Sequence, residues 1–175
     1  MLQYREGAGA AFDRLYARHK GPLFRFVLRG IRDPAQAEEL YQDIWLRVVE
    51  ARERYAPQAR FTTWLYTIAH NRMVDHWRRR GLSIVSLDAE ENPALDPPAS
   101  PAEDPLRKLQ SKERIERFMR ALEALPPAQR EAFLLREEAD MSVAQIAAVT
   151  AANEEAAKSR LRYALAKLKE AVGDD

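Results

Sequence analysis

The chain has 175 residues, no cysteine, and 28 Lys/Arg against 27 Asp/Glu. That length suits one large or two small domains, and the missing thiols exclude disulfides and thiolate metal sites while fitting a reducing compartment. No apolar run approaches the roughly 20 residues that cross a bilayer, and no secretory signal pattern opens the chain, so a cytoplasmic protein with no direct membrane insertion is expected.

The near-zero net charge hides an asymmetry. Residues 1–80 carry 15 Lys/Arg against 9 Asp/Glu, residues 81–112 carry 3 against 6, and residues 113–175 carry 10 against 12. Within the last part, Lys158, Arg160, Arg162, Lys167 and Lys169 follow one another without an acid between them. Two basic faces flank an acidic middle, a pattern that points to a polyanionic partner.

In chain order, Phe12, Leu15, Tyr16 and His19 form a helical stripe that Gly21-Pro22 is expected to break or kink. Leu23, Phe26, Val27 and Ile31 resume it. Asp33-Pro34-Ala35-Gln36 is a helix start, with an aspartate to cap, a proline suited to the first turn and a glutamine at capping-box spacing. The helix that follows should bury Ala37, Leu40, Tyr41, Ile44 and Val48. Its other side presents Glu39, Gln42, Asp43 and Leu46, spaced i, i+3, i+4, i+7.

The next segment, FTTWLYTIAHNRMVDHWRRR (61–80), is the most informative in the chain. Aromatics that can stack on bases precede arginines that can hold phosphates, the pairing that single-stranded nucleic acid requires. From about residue 81 to 105 the helical period lapses, and Pro93, Pro97, Pro98, Pro101 and Pro105 stand among Ala, Asp, Glu and Ser. That composition predicts an extended, flexible linker. Helical spacing then returns through Ile115, Phe118, Met119, Leu122 and Leu125, and again through Phe133 and Leu134. Ser142-Val143-Ala144-Gln145 is a second capping box, opening a short helix through Ile146 and Val149. After a turn at 150–152, Asn153 can cap a long helix burying Ala157, Leu161, Leu165, Leu168 and Val172. A short helix, a tight turn and a longer helix with a basic face make the helix-turn-helix pattern, whose second helix enters the major groove. The fold class expected is all-α, with two small helical domains at 1–82 and 111–175 joined by a linker at 83–110.

These segments resemble the extracytoplasmic-function (ECF) sigma factors, two-domain initiation factors of bacterial RNA polymerase. AEELYQDIWLRVVEAR (37–52) is similar to the family's polymerase-binding helix, and residues 61–80 to its promoter-melting, minus-ten-reading segment. ALPPAQREAFLLREEADMSVAQIAAV and AAKSRLRYALAKLKE are similar to the domain that binds the minus-thirty-five element. The resemblance implies that Glu39, Gln42, Asp43, Leu46 and Arg47 face the clamp helices of the polymerase's largest subunit. It implies that loop 55–62 takes a flipped base, with Tyr55, Gln58, Arg60, Phe61 and Thr62 as candidates, and that Asn71, His76, Trp77 and Arg78 line the melted strand. In the second domain Glu155, Lys158, Ser159, Arg160 and Arg162 would meet the minus-thirty-five duplex. Ala151 stands where the family has Gly in the tight turn, and Ala156-Ala157 where it has Thr-Val. Promoter DNA, core polymerase and a cognate anti-sigma protein are the implied partners.

An enzyme is not expected. His70 and His76 do not share a helix face, no Gly-rich phosphate loop occurs, and no nucleophile stands at motif spacing from a base. Nothing calls for a metal, a cofactor or a small-molecule substrate. The competing reading is a helix-turn-helix regulator that does not melt DNA; it explains 142–170 equally well but not the aromatic-basic cluster at 61–80.

Overall fold

In the computed structural model, residues 1–81 and 105–173 are described in backbone, and side chains in 1–81 and 112–173. Within them the chain forms α1 (Leu2–Arg5), α2 (Gly9–Ile31), α3 (Pro34–Glu50), a 3-10 turn (Ala51–Arg54), α4 (Phe61–Arg79), α5 (Pro105–Ala124), α6 (Pro127–Ala139), α7 (Val143–Val149) and α8 (Glu154–Val172). No strand occurs among the described residues, as the helical periodicity requires.

The caps follow the sequence. Asp33 accepts the Gln36 amide at 3.2 Å, although the Gln36 side chain turns to the Asp33 carboxylate at 2.7 Å and so does not complete the reciprocal box. Ser142 and Gln145 do complete it. Asn153 accepts the Ala156 amide at 2.7 Å and opens α8. Arg32 and Asp140 close α2 and α6 with left-handed backbone, φ 65° and 49°.

Three expectations change. Helix α2 runs unbroken through Pro22; Gly21 has no Cβ for the proline ring to strike, and Leu23, Phe26 and Val27 beyond it are wholly buried. Helix α5 starts at Pro105, inside the expected linker 83–110, because a proline at a first helical position gives up no bond. The rest of that linker, 83–104, lies outside the described residues. Leu165, expected inside, is exposed.

In the first half, α2, α3 and α4 bury Leu23, Phe26, Val27, Ala37, Ile44, Val48, Leu65, Ala69 and Met73. A Cβ at Gly30 of α2 would meet the terminal methyl of Met73 on α4, the flexible end of a buried side chain. In the second half, α5–α8 gather Leu122, Leu125, Leu134, Leu135, Ile146, Val149, Ala164 and Leu168. The halves also pack on each other, α6 against α2 and α7 against α4.

Candidate nucleic-acid and protein interfaces

The apolar face of α3 fixes what its opposite face presents. With Ala37, Leu40, Ile44 and Val48 turned inward, helical spacing leaves Glu39, Gln42, Leu46 and Arg47 exposed. Leu46 is 61% exposed, a large apolar side chain left in water at the centre of a polar stripe. Asp43 is less free than its spacing suggests: its carboxylate meets Arg72 Nε on α4 at 2.5 Å and Arg47 Nε at 3.5 Å. The stripe forms one wall of a groove whose other wall is Arg72, His76 and Arg79 of α4. His76 therefore lies beside the α3 stripe. Burial, then Arg80 and Arg79, lowers its pKa from the ordinary histidine value, while Asp33 and Glu39 oppose that.

Loop 55–62 is braced by an aromatic cluster. The Tyr55 ring lies edge-on to Trp64 at 5.0 Å and to Phe61 at 6.3 Å, and His19 of α2 reaches Phe61 at 5.2 Å. Burial and, next, Arg18 lower the His19 pKa, so this contact is made by a neutral ring at neutral pH. Arg5 of α1 donates to the Tyr55 carbonyl at 2.9 Å. Gln58 and Arg60 stand exposed at the tip, with Phe61 and Thr62 half-buried behind them. Along α4, Asn71 and Arg78 are exposed.

Tyr55 and Trp77 sit differently from expectation. Both are core residues, 6% and 4% exposed, so neither ring offers a face to a base without leaving the core. Trp77 continues the buried stripe Tyr66, Ala69, His70 and Met73, and the arginines beside it leave by the other side of the helix. The available apolar platform is Phe61 with Trp64.

On α8, Glu155, Lys158 and Arg162 are exposed and Ser159 and Arg160 half-buried. The Arg162 guanidinium lies over the Tyr163 ring, 5.2 Å from its centroid. The turn from α7 to α8 passes through Ala151 at φ 51°, the left-handed region where glycine is at ease and alanine is strained. Glu154 and Glu155 occupy the first turn of α8, favourable to its dipole and repulsive to phosphate.

Sequence reasoning missed Arg5, Arg72 and the polar groups between the halves. Arg5 and Arg72 act across 50 and 29 residues of chain, which no local spacing encodes. His70 did carry a signal, a polar residue within an otherwise apolar helical stripe. Among the described residues no cluster of His, Cys, Asp and Glu could hold a metal ion, and no helix is long and apolar enough to cross a membrane.

Comparison with known proteins identifies the family and the fold. The Sigma-70 region 2 family model matches residues 15–82, and the Sigma-70 region 4 model matches residues 115–168. The chain is 35% identical over 176 residues to the RNA polymerase sigma factor CarQ of Myxococcus xanthus, spanning 99% of this chain and 96% of that protein. It is 32% identical over 164 residues to the ECF RNA polymerase sigma factor SigK of Mycobacterium sp. (strain KMS), spanning 93% and 83%. Its fold is that of the sigma factor RpoE solved with the anti-sigma factor NepR from Bartonella quintana, with TM-score 0.68, 24% identity, and coverage of 92% and 96%. CnrH, solved with the cytosolic domain of CnrY, superposes with TM-score 0.66 at 23% identity, covering 95% of this chain and 90% of that one. With both sigma regions in order on one helical chain, and full-length relatives above 30% identity, the protein belongs to the ECF RNA polymerase sigma factors, which initiate transcription.

Proposed function

We propose that this sigma factor docks on core RNA polymerase through α3, with Glu39, Gln42, Leu46 and Arg47 meeting the clamp helices of the largest subunit. The observation that carries this is Leu46, an apolar side chain in water amid polar neighbours on a rigid helix. Exposed polar groups around an apolar anchor give register and on-rate from charge, and affinity from burial. Asp43 acts mainly by tying α3 to Arg72, which sets the angle of the docking wall.

Promoter reading divides between the two halves, the first ending near residue 82 and the second beginning with α5. Loop 55–62 takes one flipped base of the melted strand: Gln58, Arg60 and Thr62 offer polar contacts, and Phe61 with Trp64 supplies the stacking surface. Asn71 and Arg78 follow the strand along α4, with Tyr55 and Trp77 supporting from the core. Helix α8 enters the minus-thirty-five major groove. Lys158, Arg160 and Arg162 hold phosphates there, Ser159 lies near base edges, and Glu155 limits close approach. A cognate anti-sigma partner is proposed as well; one structural relative was solved with an anti-sigma factor. The chain works in the cytoplasm and contributes binding, while the chemistry belongs to the polymerase.

Strand opening distinguishes this function from duplex reading by a regulator. Arg78→Ala should leave core binding intact, reduce run-off transcription several-fold on duplex promoters, and lose less on a promoter carrying a pre-melted bubble. Equal activity of variant and wild type on duplex templates would remove Arg78 from strand capture. Absence of any core-dependent transcription by the wild type would remove the function itself.

A further inference from the structure

The positive excess of the first half does not lie on α4 alone. Of the 15 Lys/Arg and 9 Asp/Glu in residues 1–80, segments 1–20 and 50–62 together hold 7 against 4, residues 63–80 hold 4 against 1, and residues 21–49 hold 4 of each. Half of the excess thus belongs to α1, the first turns of α2, the 3-10 turn and the loop after it, and most of it takes no part in the interfaces proposed above. The fold gathers these segments into one rim. Arg5 is held on the Tyr55 carbonyl, the Arg52 guanidinium lies 5.7 Å from the centre of the Tyr4 ring, and Arg14 donates to Gln3 Oε1 at 3.1 Å. Burial and then the charge of Arg18 lower the pKa of His19, whose ring lies 5.2 Å from that of Phe61, so a guanidinium stands beside the stacking platform. Arg18, Arg54 and Arg60 are exposed, and their side chains make no ion pair or hydrogen bond among the described residues. Of the four acids in these segments, Glu6, Asp13, Glu50 and Glu53, only Glu53 approaches an arginine there, Arg52 at 3.9 Å.

A captured base gives such a rim a task. A flipped base leaves the stack by rotation about its own backbone, so its strand is fixed only when the phosphates on both sides of it are held. Asn71 and Arg78, proposed to follow the strand, hold one side alone. They lie along α4, whose ends at Phe61 and Arg78 stand about 26 Å apart at 1.5 Å per residue. On the other side of the loop stand α1, α2 and the 3-10 turn, where Arg18 and Arg54 supply unpaired cations. Guanidinium groups suit the task, since each can take two phosphate oxygens at once. Tyr4 and Phe12 are half-buried and turned to each other at 4.9 Å. The contact expected is therefore with phosphates and carries no sequence preference.

We propose that Arg18 on α2 and Arg54 on the 3-10 turn form a second phosphate-binding site, which holds the melted strand on the side of the captured base away from α4. This rests on the proposed function, and the experiment separates the two. Holoenzyme assembled from core polymerase and this factor is titrated with labelled single-stranded oligonucleotides from the non-template strand of a promoter it transcribes, read by fluorescence anisotropy. One oligonucleotide spans the minus-ten element alone, one runs four nucleotides further at its 5′ end, and one runs four further at its 3′ end. One of the two extensions should tighten binding several-fold through the rim, with a slope of log K against log salt steeper by about 1.4, at about 0.7 per phosphate neutralised on a single strand. Arg18→Ala with Arg54→Ala should remove most of that gain and leave the short strand bound as before. Arg18→Lys with Arg54→Lys should keep most of the salt slope, and Arg78→Ala should diminish only the gain from the opposite extension. Gains from both extensions that survive the double alanine change, as contacts made by the polymerase itself would, overturn the site. So does a loss shared equally by all three strands, or the absence of any gain on extension while the short strand still binds. If the unaltered holoenzyme holds no strand more tightly than core polymerase alone does, strand capture by this factor falls and the site falls with it.

Discussion

Truncating Leu46 to alanine tests the proposed polymerase-docking face most directly, because the fold makes little use of that side chain. Fully burying a leucine is worth about 1.5–3 kcal/mol, and Leu46 at 61% exposure still has more than half of that burial to gain. If it anchors the contact, Leu46→Ala should lose about 1–2 kcal/mol of binding, a roughly five- to thirtyfold rise in Kd. Fluorescence anisotropy of labelled protein titrated with core polymerase measures that rise, and thermal unfolding of the free variant should move by no more than a degree or two. Asp43→Ala provides the contrast. Its carboxylate bridges α3 to Arg72 on α4, so this change should lower the melting temperature as well as the affinity. Unchanged affinity for Leu46→Ala, or a melting temperature that falls as far as for Asp43→Ala, would refute the assignment of Leu46 as an anchor.

Three further outcomes follow from particular positions. Ala151→Gly should raise stability by about 0.5–1 kcal/mol, or roughly 1–4 °C in Tm, by relieving the φ of 51°; Ala152→Gly, where no positive φ exists to relieve, should lower it. Gly30→Ala drives a methyl into the flexible end of the buried Met73, while alanine favours the helix by about 1 kcal/mol, so the net change should stay within about 1 kcal/mol, read from denaturant unfolding. Arg162→Ala should weaken duplex binding alike across sequences and reduce the slope of log K against log salt by about 1; an unaltered slope would exclude a phosphate contact.

What the sequence disclosed and what it concealed divide by range. Asn153, Ser142 with Gln145, and Asp33 were legible as caps because a cap is a matter of three residues. The helix-turn-helix and the apolar face of α3 were legible because helical period places their residues without knowledge of the fold. Pro22 was expected to break or kink the helix; the break does not occur, because the preceding glycine and the packing beyond it carry the helix through. Trp77 misled in the opposite way: three neighbouring arginines suggested exposure, but 73 to 77 is an i, i+4 step that keeps the indole on the buried side. The Asp43–Arg72 tie and the His70–Glu131 pair were hidden because both join elements distant in the chain. The position of each exposed candidate was thus read from spacing, and the arrangement that holds it came only from packing.

The short contact of Arg5 with the Tyr55 carbonyl links the first helical turn to the loop proposed to meet the melted strand. Tyr4 adds to it, tilted against the Phe12 ring at 4.9 Å with the Arg52 guanidinium over its own ring. The four residues of α1 thus work as a splint for a loop fifty residues away. If the loop captures a base as proposed, a substitution that loosens α1, such as Arg5→Ala, would slacken that capture while circular dichroism, dominated by the long helices, registered nothing.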